Sequence, residues 1–403
     1  MGVVVEKNIA VPSTEELVQR ARAMIPWLRE QAESVEENRA VPPSTVEAFR
    51  RAGFFRILQP AAWGGYEMNP ESFYRVVMEV GRGCPSSGWT LAILGIHQWE
   101  FGKMDPRVGE EVWGSDQEVL VSSSYAPLGK ARKVEGGWML SGKWPTSSGS
   151  EHAPGGAFLG ARVYDEQGDF RDLRSFLVKR EDYELIDDWH VVGLCGTGSK
   201  SLKIKTEAFV PEHRSHSFLD YQLGHGAATY QLPFNQVFSG VISSAIVGFA
   251  QGMVDVFIEH TKPKQNQFAL GPNPAKNPFV QEKLGTAMLQ IRSARGRILQ
   301  CTQEAWAYAE RGELVPLDVR VQQFLDVQAT GKDCFSAGHM LFKKSGARGI
   351  FLNTPMQRQL RSLLAACNHI TQNEDDFSAI LGAFMLGEPI PPGVFGVPAP
   401  MQT

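Results

Sequence analysis

Hydroxyl and imidazole side chains cluster in a few short stretches of this 403-residue chain. In "LSGKWPTSSGSEHA", Thr146, Ser147, Ser148, Gly149 and Ser150 run together, with Trp144 just before them and Glu151-His152 just after. Such a run suits a solvated hairpin tip, or the wall of a site that hydrogen-bonds a polar cofactor. A second hydroxyl run, "VSSSYAPLGKA", contains Ser123 and Ser124, and a third, "GLCGTGSKSLKI", places Gly196, Thr197 and Ser199 in a tight turn. That Gly-Thr-Gly-Ser turn is no dinucleotide fingerprint, because no strand–turn–helix pattern surrounds it.

Histidine titrates near neutral pH and supplies the candidates for acid–base work. His97 lies in the apolar stretch "GIHQW" and His369 follows an apolar helical run. Taken alone, the first reads as a satisfied core histidine and the second as a partner of a helix C-terminus. His213-x-x-His216 has the spacing of a metal pair, but no third ligand is near, so both are expected to be solvated turn residues. Trp89, Trp99 and Trp144 suit either a site wall or a core. Ser345-Gly346 reads equally as a helix cap or as a point of close backbone approach.

Three textures of sequence must position these groups. Residues 1–116 have helical periodicity, opening with a capping box at Ser13-x-x-Glu16 and carrying Leu17, Ala21, Ile25 and Leu28 along one helix. Residues 117–218 change to short alternating runs with turn signals at Gly136-Gly137 and Gly142, which predict a compact β-barrel or sandwich. Residues 219–403 return to long helices: one from about Gln236, then Pro278 to Gly312, Pro316 to Ser345 and Pro355 to Ile370, a four-helix bundle with an extended Pro/Gly-rich tail. The first of these is apolar and rich in small residues on most faces, so it is expected to be buried on several sides. The apolar surface of the bundle suggests packing between subunits.

A net charge of −4 gives no electrostatic reason for nucleic acid or an anionic membrane as partner. Five scattered cysteines without CxxC spacing fit a reduced, cytosolic protein and neither a disulfide framework nor a zinc site. The N-terminus has no secretory pattern, and no run of about 18 apolar residues is expected to span a bilayer.

Together, "AAWGGYEMNPESFYRVVMEVGRGCPSSGW", "VSSSYAPLGKA", "GKWPTSSG" and "GLCGTGSKSLKI" resemble, in order and spacing, the acyl-CoA dehydrogenase fold. That resemblance implies an α+β multidomain chain: an N-terminal α-helical domain, a central β-barrel or sandwich and a C-terminal four-helix bundle, assembled as a homotetramer. With "DWHVVGLCGTGS" and "QRQLRSLLAACNHITQNED", the chain is most similar to the oxygenase components of two-component flavin monooxygenases, a group that includes 4-hydroxyphenylacetate and secosteroid-phenol hydroxylases. The resemblance implies reduced FAD or FMN as cofactor and O2 as co-substrate, reacting through a C4a-hydroperoxyflavin. It also implies a separate NAD(P)H:flavin reductase as partner and a phenol or other electron-rich aromatic as substrate. Oxygenation of an indole or other N-heterocycle, an amine or a sulfur centre is the alternative on the same fold. Leu364 and Cys367, less polar than their counterparts in the secosteroid-phenol type, keep that alternative open.

By the same resemblance His369 and His97 are catalytic, and Ser148, ahead of Ser147, faces the flavin N5. Ser123, Ser124, Trp144, Thr146, Ser147, Ser148, Gly196, Thr197 and Ser199 are implied to hold the flavin, with Ser345 and Gly346 reaching the dinucleotide of a neighbouring subunit. Two departures argue against a dehydrogenase. The catalytic carboxylate turn is replaced by "CNHITQNEDD", and Gln265 stands where a phosphate-binding arginine is expected.

Overall fold

The computed structural model describes residues 10–165, 167–219, 221, 224, 226–264 and 273–390. Gln265 and the tail beyond Ile390 lie outside the described residues. The N-terminal helices are α1 (Thr14–Ala23), α2 (Ile25–Glu37), α3 (Pro43–Arg51), α4 (Pro70–Gly83), α5 (Pro85–Glu100) and α6 (Pro106–Trp113). The single first helix expected from periodicity is two: Met24 ends α1 and Pro26 sits in the first turn of α2, where its missing N–H costs nothing. The Ser13 capping box forms as expected.

Among the described residues nine strands follow: β1 (Ser122–Val134), β2 (Gly137–Ser141), β3 (Lys143–Ser147), β4 (Ala157–Tyr164), β5 (Phe170–Val178), β6 (Tyr183–Ile186), β7 (Lys200–Ile204), β8 (Ala208–Pro211) and β9 (Ser215–Ser217). They form a six-stranded sheet, β8-β2-β1-β4-β5-β9, and a three-stranded sheet, β3-β7-β6. β1 and β4 are parallel, and their register shifts between Ser124 and Gly129. Gly136 makes the β1–β2 turn at φ 76°. Gly142, at φ 153° and packed on the Trp144 ring, lets the chain leave one sheet for the other.

The C-terminal helices are α7 (Phe234–Thr261), α8 (Pro278–Ala309), α9 (Leu317–Ser345), α10 (Pro355–Cys367) and α11 (Glu374–Met385). The last was not expected from periodicity; it carries no buried residue of its own and leans on α9 beside Phe324. Helix α7 is long and apolar enough to cross a bilayer by length and composition, contrary to the reading of the sequence, but 83% of its apolar window is buried inside the protein. Small residues in that window explain both facts. A Cβ at Gly248 would stand 2.4 Å from the Met78 carbonyl, and one at Gly81 would meet the Phe249 ring at 2.9 Å. Helices α4 and α7 therefore approach backbone to backbone, and one core unites the N-terminal helices with the bundle.

Candidate active site

Three consecutive hydroxyl residues at the end of β3 take three different directions. Thr146 is exposed, with φ 60°. Ser147 is fully buried and donates to Ser122 Oγ at 3.1 Å, inside the β-region. Ser148, just past the strand, turns toward α5, where the Trp89 indole N–H donates to its Oγ at 3.0 Å. From there a chain of hydroxyls runs to Ser199 at 2.7 Å, on to Thr197 at 2.7 Å, and ends on the Leu194 carbonyl at 2.8 Å. An indole N–H can only donate and a carbonyl can only accept, so every hydrogen along this chain has a fixed direction. Ser148 gives its hydrogen to Ser199 and accepts from Trp89, which leaves one acceptor lone pair.

The turn bearing Thr197 and Ser199 is seated by two glycines whose neighbours leave no room for a side chain. A Cβ at Gly193 would lie 2.0 Å from the Arg361 carbonyl on α10, and one at Gly196 would lie 2.3 Å from Val35 Cγ1 on α2. The Leu194 N–H also donates to Ser362 Oγ at 3.3 Å.

His369 lies just beyond α10, half-buried, with its ring centroid 5.7 Å from Trp89 and 6.3 Å from Phe238. Its Nδ1 accepts from the Thr371 N–H at 3.3 Å and stands 3.0 Å from the Thr371 hydroxyl, which accepts from Gln372 and so donates to the ring. The ring proton of neutral His369 is therefore on Nε2. Burial pushes its pKa down to about 4. The sequence pointed to a base titrating near neutrality; the structure gives a neutral imidazole whose free nitrogen is a donor.

His97 is fully buried on α5, with Nδ1 3.0 Å from the Tyr125 hydroxyl and 3.4 Å from Glu100 Oε2. Tyr125 in turn donates to Glu100, and His216 donates to Glu100 Oε1 at 2.6 Å. Burial pushes the Glu100 carboxyl up, but hydrogen bonds from His216 and His97 outweigh it and hold the group at about 2. His216 is thus no solvated turn residue. The three-residue β9 pairs with β5, and the ring of His216 packs on Phe218 at 5.3 Å while it reaches Glu100. His213 goes the other way, to Glu111 at 2.8 Å. The HxxH spacing misled because the two rings leave the chain in different directions, and among the described residues no group of three or more such side chains could hold a metal.

These clusters are joined by aromatic rings. Tyr125 meets Phe218, Phe234 and Phe238 at 5.3, 5.4 and 5.3 Å, and Phe238 meets His369. The structure thus brings Ser148, Trp89, His369, Phe238, Tyr125 and His97 into one continuous wall. Ser123, on β1, is buried, and the neighbouring Ser124 donates to the Pro145 carbonyl. Trp144 does not join them: it is fully buried in the core of the β-region, its indole N–H on the Gly160 carbonyl. Trp99 is also a core anchor, donating to the Thr229 carbonyl at 2.7 Å. Ser345 and Gly346 lie at the other end of α7, where His260 donates to the Ser345 carbonyl at 3.0 Å. Phe238 and His260 are separated by roughly 33 Å along that helix at 1.5 Å per residue, so within one chain these residues are far from Ser148. Cys367 faces α9, with its thiol on the Gly331 carbonyl at 3.4 Å, and Leu364 is exposed.

A reduced flavin is a flat, largely apolar ring system bearing an N–H at N5. The spare lone pair of Ser148, in a dry setting walled by Trp89, fits that N–H. The absence of a carboxylate at the end of α10, where His369 stands, does not fit proton abstraction from a thioester.

Residues 12–103 match the N-terminal domain of acyl-CoA dehydrogenases and residues 240–374 match their C-terminal domain. The oxygenase subunit HsaA of a flavin-dependent monooxygenase from Rhodococcus jostii is 36% identical over 381 residues, covering 93% of this chain and 99% of that protein. The oxygenase component of an FADH(2)-dependent resorcinol hydroxylase from Rhizobium is 31% identical, covering 92% and 94%. The crystal structure of 3-HSA hydroxylase from Rhodococcus superposes with a TM-score of 0.89 at 34% identity, covering 94% of this chain and 98% of that one. The fold is that of the acyl-CoA dehydrogenases. The chain belongs to the oxygenase components of the flavin-dependent monooxygenases built on that fold, enzymes that use reduced flavin and O2.

Proposed function

We propose that this chain hydroxylates a phenol, or an equally electron-rich aromatic ring, in the space bounded by Ser148, Trp89, Phe238 and His369. The observation that carries this reading is that Ser148 and His369 both meet Trp89. When bound, reduced flavin supplies the chemistry by which one atom of O2 is passed to the ring. Ser148 would accept a hydrogen bond from the N5–H, so that this proton is not lost early to solvent. Thr197 and Ser199, locked in the same chain, would fix the Ser148 hydroxyl. His369 would donate its Nε2–H to the substrate oxygen, favouring the anionic, electron-rich form of the ring without itself removing the proton. Phe238 and Trp89 would orient the ring and exclude water.

The named relatives are an oxygenase subunit and the oxygenase component of a resorcinol hydroxylase, which supports a separate reductase that delivers the reduced flavin. The outward apolar residues of α8, Phe279 and Leu289, at 70% and 67% exposure, support assembly through the bundle as a homotetramer. Five unpaired thiols support a cytoplasmic setting.

The test is single-turnover mixing of protein and reduced flavin with 18O2 across a panel of phenols, with mass analysis of the products. Incorporation of one 18O into a ring hydroxyl, with less H2O2 per flavin oxidised, is the expected result. H2O2 equal to flavin oxidised with every aromatic, or thioester-dependent reduction of bound flavin without air, overturns the reading.

A further inference from the structure

Glu100 ends α5, where its charge faces the negative end of the helix dipole, and it is only 1% exposed. A carboxylate so placed persists only if its oxygens are well satisfied, and these are. Oε1 accepts from His216 at 2.6 Å and from the Ser175 hydroxyl at 3.2 Å; Oε2 accepts from Tyr125. No role proposed above for the residues around Ser148 and His369 uses this group.

The directions of these bonds decide the state of His97. Having given its hydrogen to the carboxylate, the Tyr125 oxygen can only accept from His97 Nδ1, 3.0 Å away. Glu100 Oε2, at 3.4 Å from the same nitrogen, is also acceptor-only. The proton of a neutral His97 ring therefore sits on Nδ1. Its Nε2 is buried, has no hydrogen-bond partner among the described residues, and is left as a bare lone pair. On His216 both nitrogens face acceptors, Glu100 on one side and the Ser217 carbonyl at 3.3 Å on the other, an arrangement the imidazolium satisfies and one that balances the buried carboxylate.

We propose that Glu100, clamped by His216 and Tyr125, is a positioning residue that fixes the Nδ1–H tautomer of His97 and thereby presents Nε2 as the acceptor for the acidic O–H of the aromatic substrate. The two histidines along the aromatic wall are then complementary. His97 offers a lone pair and His369 an N–H, at two places on that wall separated by the Tyr125 and Phe238 rings. This rests on the phenol reading for the identity of the ligand, but the tautomer itself does not depend on it.

The test is 15N NMR of the full-length protein labelled at histidine, without flavin or substrate, with His97 assigned by its loss in H97Q. The wild type should show His97 protonated at Nδ1. Glu100→Gln, whose amide cannot accept at both ends, should move the signal toward the Nε2–H form. In turnover, E100Q should raise the KM for the phenol at least tenfold while the Kd for reduced flavin stays within twofold. A wild-type His97 protonated at Nε2 overturns the proposal, as does an E100Q protein that keeps the wild-type tautomer. Should E100Q not fold, the wild-type tautomer alone decides. Failure of the phenol reading shows instead in the 18O experiment on the wild type and leaves the tautomer untouched.

Discussion

Replacing Ser148 by alanine separates stability from chemistry. The substitution removes the acceptor of the buried Trp89 N–H at 3.0 Å and the donor to Ser199 at 2.7 Å. Ser199 still donates to Thr197, so one donor is orphaned, at a cost of about 1–3 kcal/mol in denaturant unfolding. The lone pair offered to the flavin N–H is also lost. A hydrogen bond worth about 2 kcal/mol in a dry site corresponds to roughly a 30-fold faster loss of H2O2. The assay is H2O2 and product formed per flavin oxidised, with a saturating phenol. Ser147→Ala is the control: its hydroxyl bonds Ser122 on the other side of β3, so it should lose about 1 kcal/mol of stability and keep the wild-type yield. Equal coupling in wild type and S148A, or equal uncoupling in S147A, would refute the assignment of the N5 contact to Ser148.

Trp89→Phe keeps a ring against His369 but removes the N–H at the head of the chain; coupling should fall by less than in S148A, measured in the same assay. Gly196→Ala places a Cβ 2.3 Å from Val35, so the turn bearing Thr197 and Ser199 must shift, and the Kd for reduced flavin should rise at least tenfold by anaerobic titration. The low pKa of His369, about 4 against 6.5, means the unfolded chain takes up this proton first as pH falls. Stability from this group is whole above pH 6.5 and is lost down to pH 4, by at most about 3 kcal/mol. H369Q should show a correspondingly shallower fall in unfolding free energy over that window. Glu100, held at about 2 against an ordinary 4.5, likewise contributes fully above pH 4.5 and loses that contribution as pH falls from 4.5 to about 2, which wild type against E100Q would show.

The order of helices, strands and helices was legible because the hydrophobic period changes sharply near residues 117 and 219, and the strands carry their own turn glycines. The choice of Ser148 over its neighbours came from resemblance alone, since three adjacent hydroxyls are alike in sequence and differ only in which way β3 and its exit turn each one. Trp144 was misplaced for the same reason: an indole beside a hydroxyl run looks like a site wall until β3 is seen to point it into the core. Glu100 and His216 were not legible at all. An acid at the end of an apolar helix and an HxxH pair in a polar loop are ordinary apart, and 116 residues of chain separate them. Only the pairing of β9 with β5 brings them together.

The hydroxyl chain that begins at Trp89 has one further consequence. Proton wires work by reversing each hydrogen bond in turn as a charge passes. Here the indole at one end has no lone pair to receive a proton, and the Leu194 carbonyl at the other has none to give. The row of hydroxyls is polarised one way and cannot be reset, so it is an insulator. It ties Ser148 firmly to the protein while offering no route by which a proton could leak along it.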